Sequence, residues 1–386
     1  MTDGPRHVTL NALFFEPDRS GGTETYLRGL VPALAQEFPK LGLTLVTTRL
    51  GAARLVSDGW RELCEIVQMP ADEGQRLQRL GVEQAGLPLV GRRRRTDLVH
   101  SLASVAPVRP GLPSVITVHD MTFFHYRTFN AVTTFGMRQI VSRAARRADA
   151  LLTGSDVARA DICATLGIDP SRVLVVPHGP GQDTPVTPVS AADLAGRLRL
   201  PQRSRLLLCL AALRPHKNQA ALVRALPRLP DDTVLVLAGH RESYAHEVQA
   251  LATELGVADR LRIPGYVEAP LLEAMWRAAA CAVFPTRAEG FGLPVVEAMR
   301  RGVPVACSDI AILREVGGDV PRYFDPDDPA GIAQAIDGLL TAPADPGHGL
   351  ARAQGFSWAA AAHGTYEGYE RALGVTRAAV SSPPRG

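Results

Sequence analysis

The sequence predicts two doubly wound α/β domains in tandem, and three observations carry that expectation. Short β-branched or leucine-rich runs alternate with amphipathic helical stretches almost from end to end, which is the pattern of parallel sheets assembled from βαβ units. Near the middle, Gly179–Ser190 breaks the alternation with Pro, Gly and Thr and no periodicity. The chain's 386 residues also exceed what one ordinary core holds and fit two domains of under about 200 residues each.

Before the break, the strand candidates are His7–Phe15, Leu43–Thr48, Asp97–Ser101, Ser114–His119, Leu151–Ser155 and Val173–Pro177. After it they are Arg205–Leu210, Thr233–Gly239, Leu261–Tyr266, Cys281–Thr286 and Pro304–Ser308. The expected division is an N-terminal domain over 1–182, a linker over 183–199 and a C-terminal domain over 200–355. A helical segment over 356–375 should pack back toward the N-terminal domain, with Trp358, Tyr366 and Tyr369 as anchors. The tail 376–386 reads as disordered. Ligands of doubly wound sheets sit outside the carboxyl ends of the strands, so two such domains facing one another would share a cleft.

Composition narrows the class. Hydrophobic residues at 46% with charged residues at 21% describe a soluble globular protein. No apolar run reaches a bilayer span, and Met1–Pro5 lacks a signal peptide's apolar core, so the expected location is cytoplasmic. A net charge of +3 is too weak to argue for nucleic acid. Cys64, Cys163, Cys209, Cys281 and Cys307 are scattered and read as buried free thiols, with neither a disulfide framework nor a zinc site indicated. Neither a G-x-G-x-x-G after the first strand nor a G-x-x-x-x-G-K-[ST] is present, which argues against a nicotinamide dehydrogenase and a P-loop enzyme. Only two of the 42 basic residues are lysines, Lys40 and Lys217. Such a skew reads as a genome-composition effect, and a lysine that remains in so arginine-rich a chain is a candidate for a place that needs a compact, rotatable ammonium.

The chemistry concentrates in Cys281–Gly302, CAVFPTRAEGFGLPVVEAMRRG. An apolar strand runs into the turn Arg287–Phe291, and a helix starts near Gly292 and runs to Arg301, with Gly302 as its stop. Pro294 falls in the first turn, where its missing N–H costs nothing. The amides of Phe291, Gly292 and Leu293 then stand at a positive helix end, a ready site for a phosphate oxygen. Glu297 lies about 6 Å further along the axis and could accept both hydroxyls of a ribose. Glu289 lies in the loop, next to whatever hangs from the distal phosphate. Either carboxylate alone would read as a solvated charge; flanking a Gly-Phe-Gly helix start behind a buried strand, the pair reads as a site.

This segment resembles the E-x7-E signature of glycosyltransferase family 4, E-G-F-G-L-P-x-x-E-A-M, and matches it from Glu289 to Met299 without departure. The resemblance implies a GT-B fold, two Rossmann-like doubly wound α/β domains facing across a cleft, and a nucleoside-diphosphate-sugar donor used with retention at the anomeric carbon. It implies that Glu297 holds the ribose, the Phe291–Leu293 amides meet the phosphates and Glu289 faces the donor sugar. Upstream, Leu213–Asn218 follows a strand with Arg214 and Lys217 three apart, in the place of the family's R-x-x-K diphosphate pair. The family's Gly-Gly loop corresponds to Gly21-Gly22 after Ser20, which makes Gly22 a candidate, with a plain turn as the alternative. The resemblance places His119 beside the donor sugar and Asp120 near the acceptor, a satisfied structural histidine being the alternative. It places Gly239 and Val267 at the nucleotide base. Arg92–Arg95, with Arg143, Arg146 and Arg147, could touch anionic lipid at the inner membrane face or simply be solvated. The resemblance implies that the first domain binds the acceptor and the second the donor; it is strongest over Arg205–Asp325 and weakest over Gly51–Arg95.

The expected activity is thus transfer of a hexosyl or deoxyhexosyl unit to an acceptor hydroxyl, on a glycan, lipid-linked or natural-product acceptor. Arg214, Lys217 and the helix start would stabilise the departing diphosphate. No D-x-D pair follows a strand where a metal would need it, so no metal cofactor is expected. A GT-B phosphorylase, a nucleotide-sugar epimerase and a silent nucleotide-sugar-binding partner would reuse the same cradle. The style of Arg214–Asn218 leans weakly toward GDP-mannose as donor.

Overall fold

The computed structural model describes residues 4–19, 21–71, 76–126, 131–181 and 186–374. Ser20, part of the expected linker and the tail 376–386 lie outside the described residues. The chain forms two compact units, one of Met1–Gly154, Arg159–Val176 and Ala359–Gly386, the other of Ser155–Ala158 and Pro177–Trp358.

The first unit is built on seven parallel strands: β1 (His7–Asn11), β2 (Gly42–Thr47), β3 (Glu65–Gln68), β4 (Leu98–Ser101), β5 (Ser114–Thr117), β6 (Ala150–Thr153) and β7 (Val173–Val175). Their order is β3-β2-β1-β4-β5-β6-β7, so the winding reverses between β1 and β4. β4, β5 and β6 are buried at every residue, which is why they read as unbroken apolar runs instead of alternating ones.

The second unit has six parallel strands: β8 (Arg205–Leu210), β9 (Thr233–Ala238), β10 (Leu261–Gly265), β11 (Ala279–Phe284), β12 (Val305–Ser308) and β13 (Arg322–Phe324). Their order is β10-β9-β8-β11-β12-β13. Alternate residues serve opposite faces, as the period of two requires. Leu207, Cys209, Leu235, Leu237, Cys281 and Val283 join one core. Leu206, Leu208, Val234, Val236, Ala282 and Phe284 join the other. All five cysteines are free thiols, four of them buried.

Two strands were not expected from the sequence. β3 is half-exposed along its length and β13 has three residues, too few to show a period. The run from His7 leaves the sheet after Asn11, because Phe15 N–H bonds back to Ala12 O at 3.0 Å and closes a turn.

The last helix, Trp358–Ala372, supplies Tyr369 and Tyr366 to the first unit. Tyr366 stacks on Phe38 with centroids 4.0 Å apart. Tyr369 Oη meets His100 Nδ1 at 2.8 Å, His100 Nε2 meets Thr117 Oγ1 at 2.8 Å, and Thr117 meets Tyr26 Oη at 3.0 Å. These four side chains are buried, and burial, aided by nearby His119, pushes the His100 imidazole down to about 3. Between pH 6.5 and that value the unfolded chain binds a proton that the folded ring refuses. Stability should therefore fall by about 1.4 kcal/mol per pH unit from this ring as acid is added. Glu83 and Glu297, both raised by burial to about 7, act with the opposite sign from there down to 4.5. Urea unfolding at several pH values should show a flatter acid limb in His100→Gln than in the parent; equal slopes would reject the assignment.

Candidate functional site

In the second unit, β11 ends at Phe284 and the chain turns to Gly292, whose φ of +95° only glycine adopts without strain. The helix Leu293–Arg300 begins there with Pro294 in its first turn and no side-chain cap. Its forward-facing amides are thus offered at the positive end of the dipole. Phe291 itself is an anchor: its ring is buried against His178 at 4.9 Å and Phe356 at 5.6 Å. What it offers a ligand is backbone.

Lys217 reaches this turn because two loops are stitched together. After β8 the chain makes a tight turn over Pro215–Lys217, ended by Asn218 at φ +56°. Asn218 Nδ2 donates to Pro326 O at 2.8 Å, which fixes the turn. From the β11 side, the Arg287 N–H donates to His216 O at 2.8 Å, and Thr286 Oγ1 lies 3.2 Å from that oxygen and 2.6 Å from Ala288 O, with one proton to give. Lys217 Nζ consequently lies 2.5 Å from Glu289 Oε2, with both side chains about one-fifth exposed. Arg214 does not join them. Its Nε donates to Glu242 Oε1 at 2.6 Å, in a pair open to solvent.

Glu297, on the first turns of the helix, is 9% exposed. Burial lifts its carboxyl to about 7, while Arg301 and the Gly181 amide pull the other way. A Cβ at Gly181 would come within 2.8 Å of Glu297 Oε1, so a larger residue there would make that carboxyl shift. Near neutral pH this group can accept hydrogen bonds as a carboxylate or donate one as an acid.

Gly239 closes β9 at φ +143°, and a Cβ there would collide with Ala211 O. Its N–H donates to Gly265 O at 2.9 Å. Val267 packs half-buried on the adjoining core, and just before it Tyr266 stacks on His240 with centroids 5.5 Å apart. A cavity of about 410 Å³ opens beside this loop, lined by Arg241, Glu242, Ser243 and Ile263, so Arg214's partner forms one wall. No residue of the Gly292 turn lines it. Thr286, Asn218 and Glu242 were not singled out in the sequence, and their roles depend on loops that only folding brings together.

Gly22 and His119 belong to the first unit. The helix Gly22–Glu37 also lacks a side-chain cap, but the left-handed glycine is Gly21, at φ +56° with open space around it. His119 Nε2 donates to Leu102 O at 2.9 Å, and the ring meets Tyr26 edge-on at 4.7 Å. Burial lowers its pKa, so the imidazole is neutral at physiological pH. Asp120 accepts the Thr122 N–H at 2.7 Å and caps the short turn after β5.

Residues 192–351 match the family described as glycosyl transferases group 1, and residues 20–180 match glycosyltransferase family 4. The O-antigen chain mannosyltransferase B of Escherichia coli is 30% identical over 64% of this chain and 67% of its own length. A D-inositol 3-phosphate glycosyltransferase of Xylanimonas cellulosilytica is 31% identical over 69% of this chain and 68% of its length. The serotype-specific mannosyltransferase WbdA of E. coli is 32% identical over 59% of this chain, which spans 29% of that longer protein. Among solved structures, sucrose-phosphate synthase of Thermosynechococcus elongatus superposes with a TM-score of 0.78 at 20% identity, covering 96% of this chain and all of that one. Anabaena HepE, solved with UDP and glucose, gives 0.73 at 18% identity, over 94% of this chain and 98% of that one. At these identities the two structures establish a shared GT-B fold.

Among the described residues no helix is long and apolar enough to cross a membrane.

Proposed function

From the premise that this chain belongs to glycosyltransferase family 4 and is a glycosyltransferase, we propose that it moves a hexosyl or deoxyhexosyl unit from a nucleoside-diphosphate sugar to an acceptor hydroxyl with retained configuration. The observation that carries the reading is the uncapped helix start at Gly292, with Glu289 of the loop before it paired to Lys217 of the turn after β8.

The helix amides and Lys217 receive the diphosphate oxygens, and Arg214 joins them by leaving Glu242. Glu297 accepts the ribose hydroxyls, while Gly239 and Val267 border the base. Glu289 orients the donor sugar, and neutral His119 adds a hydrogen bond to it. The Gly22 helix end is a further anion-binding element. As the glycosidic bond breaks, negative charge grows on the leaving phosphate, where these groups stabilise it more than in the ground state. That phosphate oxygen takes the acceptor's proton as the acceptor oxygen attacks the same face, which retains the configuration. Protein cations balance the diphosphate, so transfer should persist in EDTA. The donor we favour is GDP-mannose, supported by the mannosyltransferase relatives; UDP-sugars are the alternative, supported by HepE's bound UDP. The same proposal places the protein in the cytoplasm, with the exposed run Arg92–Arg95 available to anionic lipid at the inner membrane face.

Thermal unfolding with GDP, UDP and dTDP tests the donor site. A nucleotide at a hundred times its Kd should stabilise the protein by about 2.7 kcal/mol, and Glu297→Ala should remove most of that shift. No stabilisation by any of the three would reject the reading. Anomeric analysis of the product by NMR decides retention.

A further inference from the structure

A ligand of an open α/β sheet sits where the winding reverses, and in the first unit that place is the carboxyl end of β1 and β4. Asn11 and Ser101, the last residues of these strands, stand opposite one another in register. Asn11 Nδ2 donates to Ser101 Oγ at 3.2 Å and to Glu83 Oε1 at 2.5 Å, while its Oδ1 takes the Leu13 N–H at 3.2 Å. Glu83 therefore lies beside Ser101, held through the same amide nitrogen.

The element that delivers Glu83 is unusual. It is a π-helical turn, Val82–Gly86, set between the helices Arg76–Gly81 and Leu87–Arg94. Such turns are rare and occur frequently at functional sites. Val82 packs against the small core around Leu13, Leu87 and Val99, which seats the turn. Glu83 ends up 4% exposed, and burial raises its carboxyl to about 7 against the pull of Asn11 and Arg79.

Burying a carboxyl is costly unless its oxygens are bonded. Asn11 satisfies Oε1, and no described residue donates to Oε2. The Ser101 oxygen already accepts from Asn11, and no described residue accepts the Ser101 proton. One open acceptor beside one open donor fits a group that both gives and takes a hydrogen bond, as a ligand hydroxyl does when it displaces water. An ammonium could not take the Ser101 proton, and an anion would be repelled by Glu83.

We propose that Glu83, Asn11 and Ser101 form a binding site for a hydroxyl of a polyol, a sugar ring or cyclitol, at the strand reversal of the first unit. Resting on the glycosyl-transfer reading above, that polyol is the acceptor, and Glu83 is a specificity-determining residue for it.

The test is a titration of the full chain with methyl α-D-mannopyranoside and with myo-inositol, followed through the side-chain carboxyl carbon of ¹³C-labelled Glu83, which is assigned by its absence in Glu83→Gln. At least one probe should shift that resonance, and it should bind about tenfold more weakly to Glu83→Gln, the worth of a hydrogen bond to a charged group. Glu83→Asp, which keeps the acid but withdraws it, should lose affinity as well and serves if the glutamine variant fails to fold. A resonance that neither probe moves, or a glutamine variant that binds as tightly as the parent, would overturn the proposal. Stabilisation by GDP or UDP, measured in parallel and unchanged by Glu83→Gln, separates the two readings. Its absence in the parent sinks the transferase reading, whereas its presence with a silent polyol titration sinks this one alone.

Discussion

Lys217→Ala is expected to slow glycosyl transfer about a hundred- to a thousandfold, the usual loss when one preorganised stabiliser of developing charge is removed. The ammonium sits 2.5 Å from Glu289 and only about one-fifth exposed, so water cannot readily replace it. The loss should fall on kcat more than on KM, because the leaving phosphate gains charge as the bond breaks. Lys217→Arg should restore little. A bulkier planar guanidinium cannot occupy the point from which a compact ammonium serves both Glu289 and a phosphate. Steady-state kinetics, with circular dichroism to confirm folding, decides the matter; a folded alanine variant within tenfold of the parent would remove Lys217 from the chemistry.

Gly239→Ala should strongly destabilise the second unit. The backbone there holds φ +143°, and the new Cβ would strike the carbonyl of Ala211, a backbone atom that cannot swing aside. Backbone strain and overpacking together amount to about 3–5 kcal/mol, a large share of an ordinary domain's stability. Gly21→Ala is the control. It too has a positive φ, but nothing lies within 4 Å of its added methyl, so only backbone strain of about 1–3 kcal/mol remains. Urea unfolding midpoints compare them, and equal losses would show that the collision at Ala211 is relieved by movement.

Both parallel sheets were legible in the sequence because their central strands are buried on two faces, leaving apolar runs such as Arg205–Leu210 and Thr233–Ala238. The helix start was legible for a different reason. Gly292, Pro294 and the flanking glutamates are local, and each carries its own backbone or charge logic. Features assembled from distant segments left no such trace. Glu83 lies beside Gln84 in an otherwise apolar and glycine-containing stretch, and nothing local marks it until Asn11, 72 residues away, takes hold of its carboxyl. His100 reads as a strand residue, yet its partner Tyr369 is 269 positions downstream. Arg214 looks committed to a phosphate, and only the folded loop shows Glu242 beside it. At the other glycine pair the turn was legible, but the left-handed conformation falls on Gly21, not on Gly22.

The first unit is closed by residues that begin at Ala359, while everything from Pro177 to Trp358 belongs to the second. On the ribosome the later-encoded unit is thus finished before the earlier one. At roughly 5–20 residues per second, the nascent amino-terminal half waits for its final helix while almost two hundred codons are read. Throughout that wait the His100 ring lacks the phenol that will bond it. A premature stop shortly after Trp358 would therefore injure the half of the protein encoded furthest from it.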